Sequence, residues 1–248
     1  KIEDLQNLSV AQIIAEARIS AECVYDKIGS MPEEFQELFM ILGCICNTIR
    51  AVNQEDLAYI FCSDEEMKSL RLTESASVTV TIGGRQENAQ ENPVFPTYGR
   101  KIAMDRSVKG MIKRFCDLGY IYRDSITKEI YFQHPIYAYA SRLLLKTEIE
   151  EDWETEKYIG YLHRAIGSLS KNAAICSLIS LLEEFTVNEL VIKCFIDASN
   201  SIFPAVRDIA VLFLDKNFDI MTEEDQKKFV TNIKNARISD KYLLWSED

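Results

Sequence analysis

One residue pair in this sequence, a histidine directly before a proline, is placed where its side chain could bind a ligand. His134 lies between Gln133 and Pro135. A residue before proline is held extended, and proline suits the first turn of a helix, so we expect His134 at a helix N-terminus. Free N–H groups and the helix dipole attract an anion there, which makes a phosphate group a reasonable ligand. The alternative, which the residues alone favour, is that His134 caps the helix or hydrogen-bonds within the preceding hairpin.

The second candidate is a basic segment in an acidic chain. The sequence carries a net charge of −11, yet residues 100–128 hold eight basic and three acidic side chains. The flanking segments, 1–99 and 129–248, carry −9 and −7. A solvated helix face, or docking on an acidic protein surface, is favoured over nucleic acid, because the acidic remainder repels a polyanion and salt screens that field only in part. The candidate residues for a docking or DNA-binding patch are Arg106, Lys109, Lys113, Arg114, Arg123 and Lys128.

The sequence holds no catalytic or metal-binding pattern, so we expect this chain by itself not to be an enzyme. The glycine pair Gly83-Gly84 lacks both the spacing and the lysine of a phosphate-binding loop. Acidic clusters at 148–156 and 223–225 lack the alternating ligands of a calcium loop. Seven cysteines without metal-ligand spacing indicate reduced thiols in a cytoplasmic protein, and Cys44 and Cys46, on an apolar helix, are expected to be small buried hydrophobes. No apolar run is long enough to span a membrane.

Hydrophobic periodicity and capping residues predict a mainly helical protein. Helices are followed by a β-hairpin, which is the order of elements in a winged helix. Gly119 is predicted to end one helix in the left-handed conformation. The predicted elements are helices at 10–28, 33–46 and 54–61, a short one capped at Ser63, a strand at 78–82, a loop at 83–99, a helix at 106–118, β-runs at 120–122 and 129–132, and a helix at 135–146.

From residue 153 onward the pattern predicts only helices, joined by short connections that indicate an antiparallel array. The run from Pro204 to Leu214 resembles the second helix of a HEAT repeat, with its Val206-Arg207 pair. The predicted helices cover 153–169, 171–184, 187–198, 204–216 and 223–236, with caps at Asp152, Ser170, Thr186 and Thr222. The predicted domains are an N-terminal helical segment at 1–30, a winged helix at 31–146 with a loop insertion at about 71–99, and a helical-repeat domain at 150–248.

Taken together, these motifs resemble the region that follows the ATPase core in STAND-class NTPases, the group of NLR-like immune receptors and bacterial antiphage proteins. The resemblance rests on the Met-Pro-Glu-Glu-Phe start at residue 31, the winged-helix order, the histidine opening the next helix, and the helical repeats. The family pattern at that histidine is Met-His-Asp, whereas this chain has Gln133-His134-Pro135.

The resemblance implies a role and a set of partners. In the family, the corresponding histidine touches the β-phosphate of bound ADP and holds a closed, inactive state, so His134 is the implied phosphate contact. The cofactors implied are ATP or ADP with Mg²⁺, bound by an ATPase core outside these 248 residues. The implied partners are that core, other proteins in antiviral signal transduction, and further copies of the protein on activation.

Two other functions remain open from the residues. A DNA-binding winged-helix module of transcription or replication would place helix 106–118 in the major groove and use the 123–128 turn as a wing. A helical protein-interaction scaffold is what the array would be without a switch. The acidic total charge favours the switch, and the local basic segment favours DNA binding.

Overall fold

The computed structural model describes residues 9–62, 72–74, 96–98, 103–150 and 155–244. Over this part the chain is mainly helical with a small antiparallel sheet, which confirms the predicted fold class at that level. The helices are α1 (Val10–Gly29), α2 (Glu33–Ile45), α3 (Gln54–Ile60), α4 (Arg106–Asp117), α5 (Pro135–Glu150), α6 (Thr155–Ile166), α7 (Lys171–Glu184), α8 (Glu189–Ala198), α9 (Pro204–Lys216) and α10 (Glu223–Leu244), with a 3-10 turn at Phe218–Ile220.

Five short strands complete the secondary structure of the described residues. They are β1 (Val52–Asn53), β2 (Leu72–Glu74), β3 (Pro96–Tyr98), β4 (Ile121–Arg123) and β5 (Glu129–Phe132). One antiparallel sheet has the order β1-β5-β4, with Val52 opposite Ile130 and Ile121 opposite Phe132. A separate antiparallel pair joins β2 to β3.

The strands include two corrections to the sequence prediction. β1 was not predicted, because two residues carry no alternating pattern and this strand exists only through its pairing with β5. The loop predicted at 83–99 is wrong at its end, since β3 pairs there with β2 across more than twenty residues of sequence. The strand predicted at 78–82 and the helix capped by Ser63 lie outside the described residues.

Capping chemistry explains where most helices begin and end. The Ser170 hydroxyl accepts the Ala173 N–H and the Thr222 hydroxyl accepts the Asp225 N–H, which confirms both predicted caps. Thr186 was the wrong cap for α8, because the Asn188 side chain accepts the Val191 N–H at 2.9 Å and the helix begins two residues later than predicted. Gly119 has φ +74°, which confirms the left-handed end of α4. Asp152 lies outside the described residues.

Helix α2 is the centre of the hydrophobic core. Every residue from Leu38 to Ile45 is buried, so this stretch has no solvent face. α2 packs against α5, α6 and α7, and the Phe39 ring contacts the rings of Phe115, Tyr120 and Phe132. Buried side chains on both sides of the predicted domain boundary near 146–150 therefore belong to one continuous core. The division into domains stays a prediction.

Helices α2 and α5 pack very closely at the point where Gly43 faces Ser141. The Ser141 hydroxyl donates to the Phe39 carbonyl at 2.8 Å and fills the space beside Gly43. A Cβ added at Gly43 would lie 1.8 Å from Ser141 Oγ and 2.6 Å from its Cβ. Glycine is required here because any side chain would push the two helices apart.

We predict that Gly43→Ala destabilises the fold by about 2 kcal/mol or more, because overpacking of a core contact costs roughly 1–3 kcal/mol. Gly160→Ala on α6 is the matched control, since no atom lies within 4 Å of its added Cβ. That control should stabilise the fold by about 0.5–1 kcal/mol through helix propensity. Denaturant unfolding followed by circular dichroism measures both, and equal effects would contradict the packing argument.

A charged cluster joins three helices of the C-terminal half. Asp197 on α8 accepts a hydrogen bond from His163 Nε2 on α6 at 2.9 Å and one from Lys228 Nζ on α10 at 2.7 Å. The hydrogen bond from His163, followed by that from Lys228, lowers the pKa of Asp197 to about 2 from its ordinary 3.8. A carboxylate whose pKa is lowered on folding stabilises the folded state above its unfolded pKa, and loses that effect as the pH falls through the folded pKa.

We predict that Asp197→Asn lowers the free energy of unfolding at neutral pH by about 1 kcal/mol or less, because the cluster is partly exposed and solvent screens it. The difference from the parent protein should be constant above about pH 4 and shrink towards pH 2, where the parent carboxylate takes up a proton. Urea unfolding at several pH values measures this. Asp208→Asn, an exposed carboxylate on α9, should change little at any pH.

Candidate functional site

A groove between α4 and β4 brings part of the predicted basic patch together. Its volume is about 550 Å³. Three cations line it, namely Lys109 and Lys113 from α4 and Arg123 from β4. Two neutral amides, those of Gln54 and Gln133, complete the polar wall. The groove therefore combines fixed positive charge with hydrogen-bonding groups, which suits a carboxylate or phosphate ligand.

The amphipathic pattern of α4 presents the two lysines to this groove. Asp105 caps the helix by accepting the Ser107 N–H at 2.7 Å, and the hydrogen bonds from Ser107 lower the pKa of its carboxyl group. The apolar side of α4 packs into the core through Val108, Met111, Ile112 and Phe115. The opposite side is left exposed, and Lys109 and Lys113 lie four residues apart on it.

The floor of the groove is apolar, and its third cation is held in place. Ile112 is 3% exposed and Ile121 is fully buried, so both form a packed base under the polar wall. Arg123 Nη2 donates to Gln54 Oε1 at the start of α3. This hydrogen bond connects residues 69 positions apart and fixes the direction of the guanidinium group.

The other three candidates of the patch lie beside the groove and do not line it. Arg106 lies one turn before Lys109 and Arg114 lies one step round the helix, both exposed. Lys128 is in the hairpin turn with φ +62°, and its ammonium group donates to the Ser125 carbonyl. The structure thus divides the six predicted residues into a groove set and a peripheral set.

The hairpin turn, residues 123–128, differs from α4 in charge. Asp124 organises the turn by accepting the N–H groups of Ile126 and Thr127, each at 2.7 Å. Glu129 follows directly and accepts from the Thr127 hydroxyl. The two acids balance Arg123 and Lys128, and the tip of the turn is apolar, with Ile126 87% exposed.

His134 opens helix α5, as the sequence predicted. Its Nδ1 accepts the Ile136 N–H at 3.2 Å, so the side chain caps the helix. The nitrogen that accepts carries no proton, which makes Nε2 the N–H donor of the neutral ring. The residue is exposed and its ring meets Tyr137 edge-on at 6.2 Å. Capping occupies one nitrogen and leaves the other facing away from the helix.

Burial disfavours ionisation of the thiols in the core. Burial raises the pKa of Cys44 to about 12 and that of Cys176 to about 11, and it raises the pKa of Cys46 well above its usual range. At the groove, burial raises the pKa of Cys116 and the charge of Arg123 opposes that shift. Cys44 and Cys46 are buried, which confirms the prediction for them, whereas Cys23 is exposed and Cys116 is partly buried.

Sequence reasoning missed Gln54, Gln133 and the apolar floor. Neither amide is marked by a local motif, because each joins the groove through contacts made by distant parts of the chain. In the described part of the chain no three His, Cys, Asp or Glu residues are close enough to hold a metal ion. Among the described helices, none combines the length and apolar character needed to cross a membrane.

No protein-family model matches the chain, and no curated protein or solved structure matches it significantly. What the protein does must therefore be inferred from its own residues.

Proposed function

We propose that the chain is the regulatory and scaffold region of a STAND-like nucleotide-dependent switch, acting with an ATPase core outside these residues. The observation that carries the proposal is His134, an exposed histidine with an outward Nε2 at the first turn of the helix that leaves the three-stranded sheet. The chain itself acts without catalysis in this proposal. It works in the cytoplasm through protein partners, including the core and further copies of itself.

The first half supports the winged-helix part of the proposal. Three helices, α2, α3 and α4, precede the β4–β5 hairpin. The short strand β1, between the first two helices, pairs with β5 and completes a small antiparallel sheet. Helix α5 leaves this sheet directly after β5, which brings His134 to the junction between sheet and helix.

The second half supports the helical-repeat part. α6 packs on α7 and α8 packs on α9, which defines two consecutive helical pairs. Across the pairs, first helix meets first helix, α6 with α8, and second meets second, α7 with α9. α10 packs on α8 and so occupies the position of the first helix of a third pair. Stacking of equivalent helices in adjacent pairs is the contact pattern of a repeat array.

Hydrogen bonds connect the two halves, which suits transmission of a change at His134 to the array. Ser180 on α7 donates to the Cys44 carbonyl of α2 at 3.2 Å, and Arg164 on α6 donates to the Cys62 carbonyl at 2.9 Å. A phosphate that binds or leaves at the start of α5 acts on a helix that packs along α2. In the proposed closed state, His134 Nε2–H donates to a phosphate oxygen of ADP, and ADP with Mg²⁺ is held by the core.

The test separates the capping role of His134 from a phosphate contact. His134→Ser keeps an N-cap but has no donor in the place of Nε2, whereas His134→Ala loses both. In the proposed full-length switch, we expect both variants to release ADP faster, by about tenfold or more, since a hydrogen bond to a charged group contributes roughly 1.5–3 kcal/mol. Stopped-flow release of a fluorescent ADP analogue measures this. An ADP release rate unchanged in His134→Ser would leave His134 as a helix cap only.

A second measurement tests whether the isolated chain binds or hydrolyses ATP. The isolated chain should show negligible ATP affinity and no ATP hydrolysis, because it supplies neither a phosphate-wrapping loop nor magnesium ligands. Isothermal calorimetry with ATP and Mg²⁺ checks this. The coding sequence offers a further check: a phosphate-binding loop encoded in the same reading frame supports the proposal, and its absence contradicts it.

A further inference from the structure

We propose that the groove between α4 and β4 is a docking site for an acidic protein segment that carries an apolar side chain. The inference rests on the geometry of the groove and stands independently of the nucleotide proposal. It assigns a ligand chemistry, carboxylates beside an apolar anchor, to Lys109, Lys113 and Arg123.

Within the described residues, none of the three cations of the groove forms an ion pair, and Arg123 is held by the uncharged amide of Gln54. Like charges held around one cleft repel each other, and an anion in the cleft relieves that repulsion. The positive groove also lies on a protein of net charge −11, so its sign is opposite to that of the molecule.

The hairpin turn and the groove wall favour a polypeptide over nucleic acid. A duplex lying on α4 would bring its phosphates to the turn as well, where Asp124 and Glu129 oppose them. The exposed Ile126 at the tip of the turn and the partly exposed ring of Tyr122 in the groove wall offer apolar contact, which a phosphate backbone does not exploit. An acidic segment with an apolar residue satisfies both the cations and these surfaces.

The test uses fluorescence anisotropy with three labelled probes at physiological salt: a glutamate-rich peptide containing leucine, a DNA duplex and oligothymidine. We expect the peptide to bind most tightly, with an affinity that falls as salt is raised. Lys109→Glu with Lys113→Glu should weaken peptide binding by about tenfold or more. The control pair Lys193→Glu with Lys216→Glu changes the net charge equally, away from the groove, and should leave binding within about twofold.

Thermal unfolding separates binding from folding. All four lysines of the two pairs are exposed, so we expect the melting temperature of both double variants to stay close to that of the parent protein. Two results would overturn the proposal: tighter binding of either nucleic acid than of the peptide, or equal losses of peptide affinity in the control pair. Retained stability in Lys109→Glu with Lys113→Glu excludes misfolding as the cause of a loss.

Discussion

The burial of α2 on all sides is the constraint on which the rest of the structure depends. Its buried stretch, Leu38 to Ile45, contacts helices from both halves of the chain, and the aromatic ring of Phe39 holds the end of α4 and the β4–β5 hairpin against it. Burial of this many large side chains is the dominant favourable term in folding. Because Gly43 lets α5 approach so closely, the helix that His134 caps is held against the same element.

Two polar features lie beside the β4–β5 hairpin. They are the groove set, Lys109, Lys113 and Arg123, and the helix cap His134. The hairpin turn is at one end, and the groove set on α4 and β4 lies along the strand that leads to it. At the other end β5 passes into α5 through Gln133 and His134. Gln133 lines the groove while its neighbour caps the helix, so the two features are joined by a single peptide bond. A ligand in the groove and a contact at His134 would both act on the same short junction.

The helices of the C-terminal half are also joined by hydrogen bonds and an aromatic contact. Asp197 connects α6, α8 and α10 through a histidine and a lysine, and Asn232 on α10 adds a hydrogen bond to the Ile196 carbonyl at 3.0 Å. The stacked phenyl rings of Phe195 and Phe213, 3.9 Å apart, fix α8 against α9. These polar and aromatic contacts hold α6, α8, α9 and α10 together.

The sequence by itself determined the features that arise from local physics. Helical periodicity, caps such as Ser170 and the glycine at 119 depend on neighbours a few residues away, and for this reason most helix bounds and the hairpin were predicted within a few residues. The position of His134 before a proline and the basic character of residues 100–128 were also readable from the chain. Whether His134 serves a nucleotide switch stays a prediction.

The tertiary structure alone decided which of these residues meet. Strand β1 forms only by pairing with the distant β5, and β2 forms only by pairing with the distant β3. For this reason no local pattern predicted them. The separation of Lys109, Lys113 and Arg123 from Arg106, Arg114 and Lys128 followed from the packing of α4 against β4 and from the Arg123–Gln54 hydrogen bond. Helical periodicity indicates which face of a helix is buried, whereas a groove forms between two elements, and its shape is fixed only when both are packed on the same core.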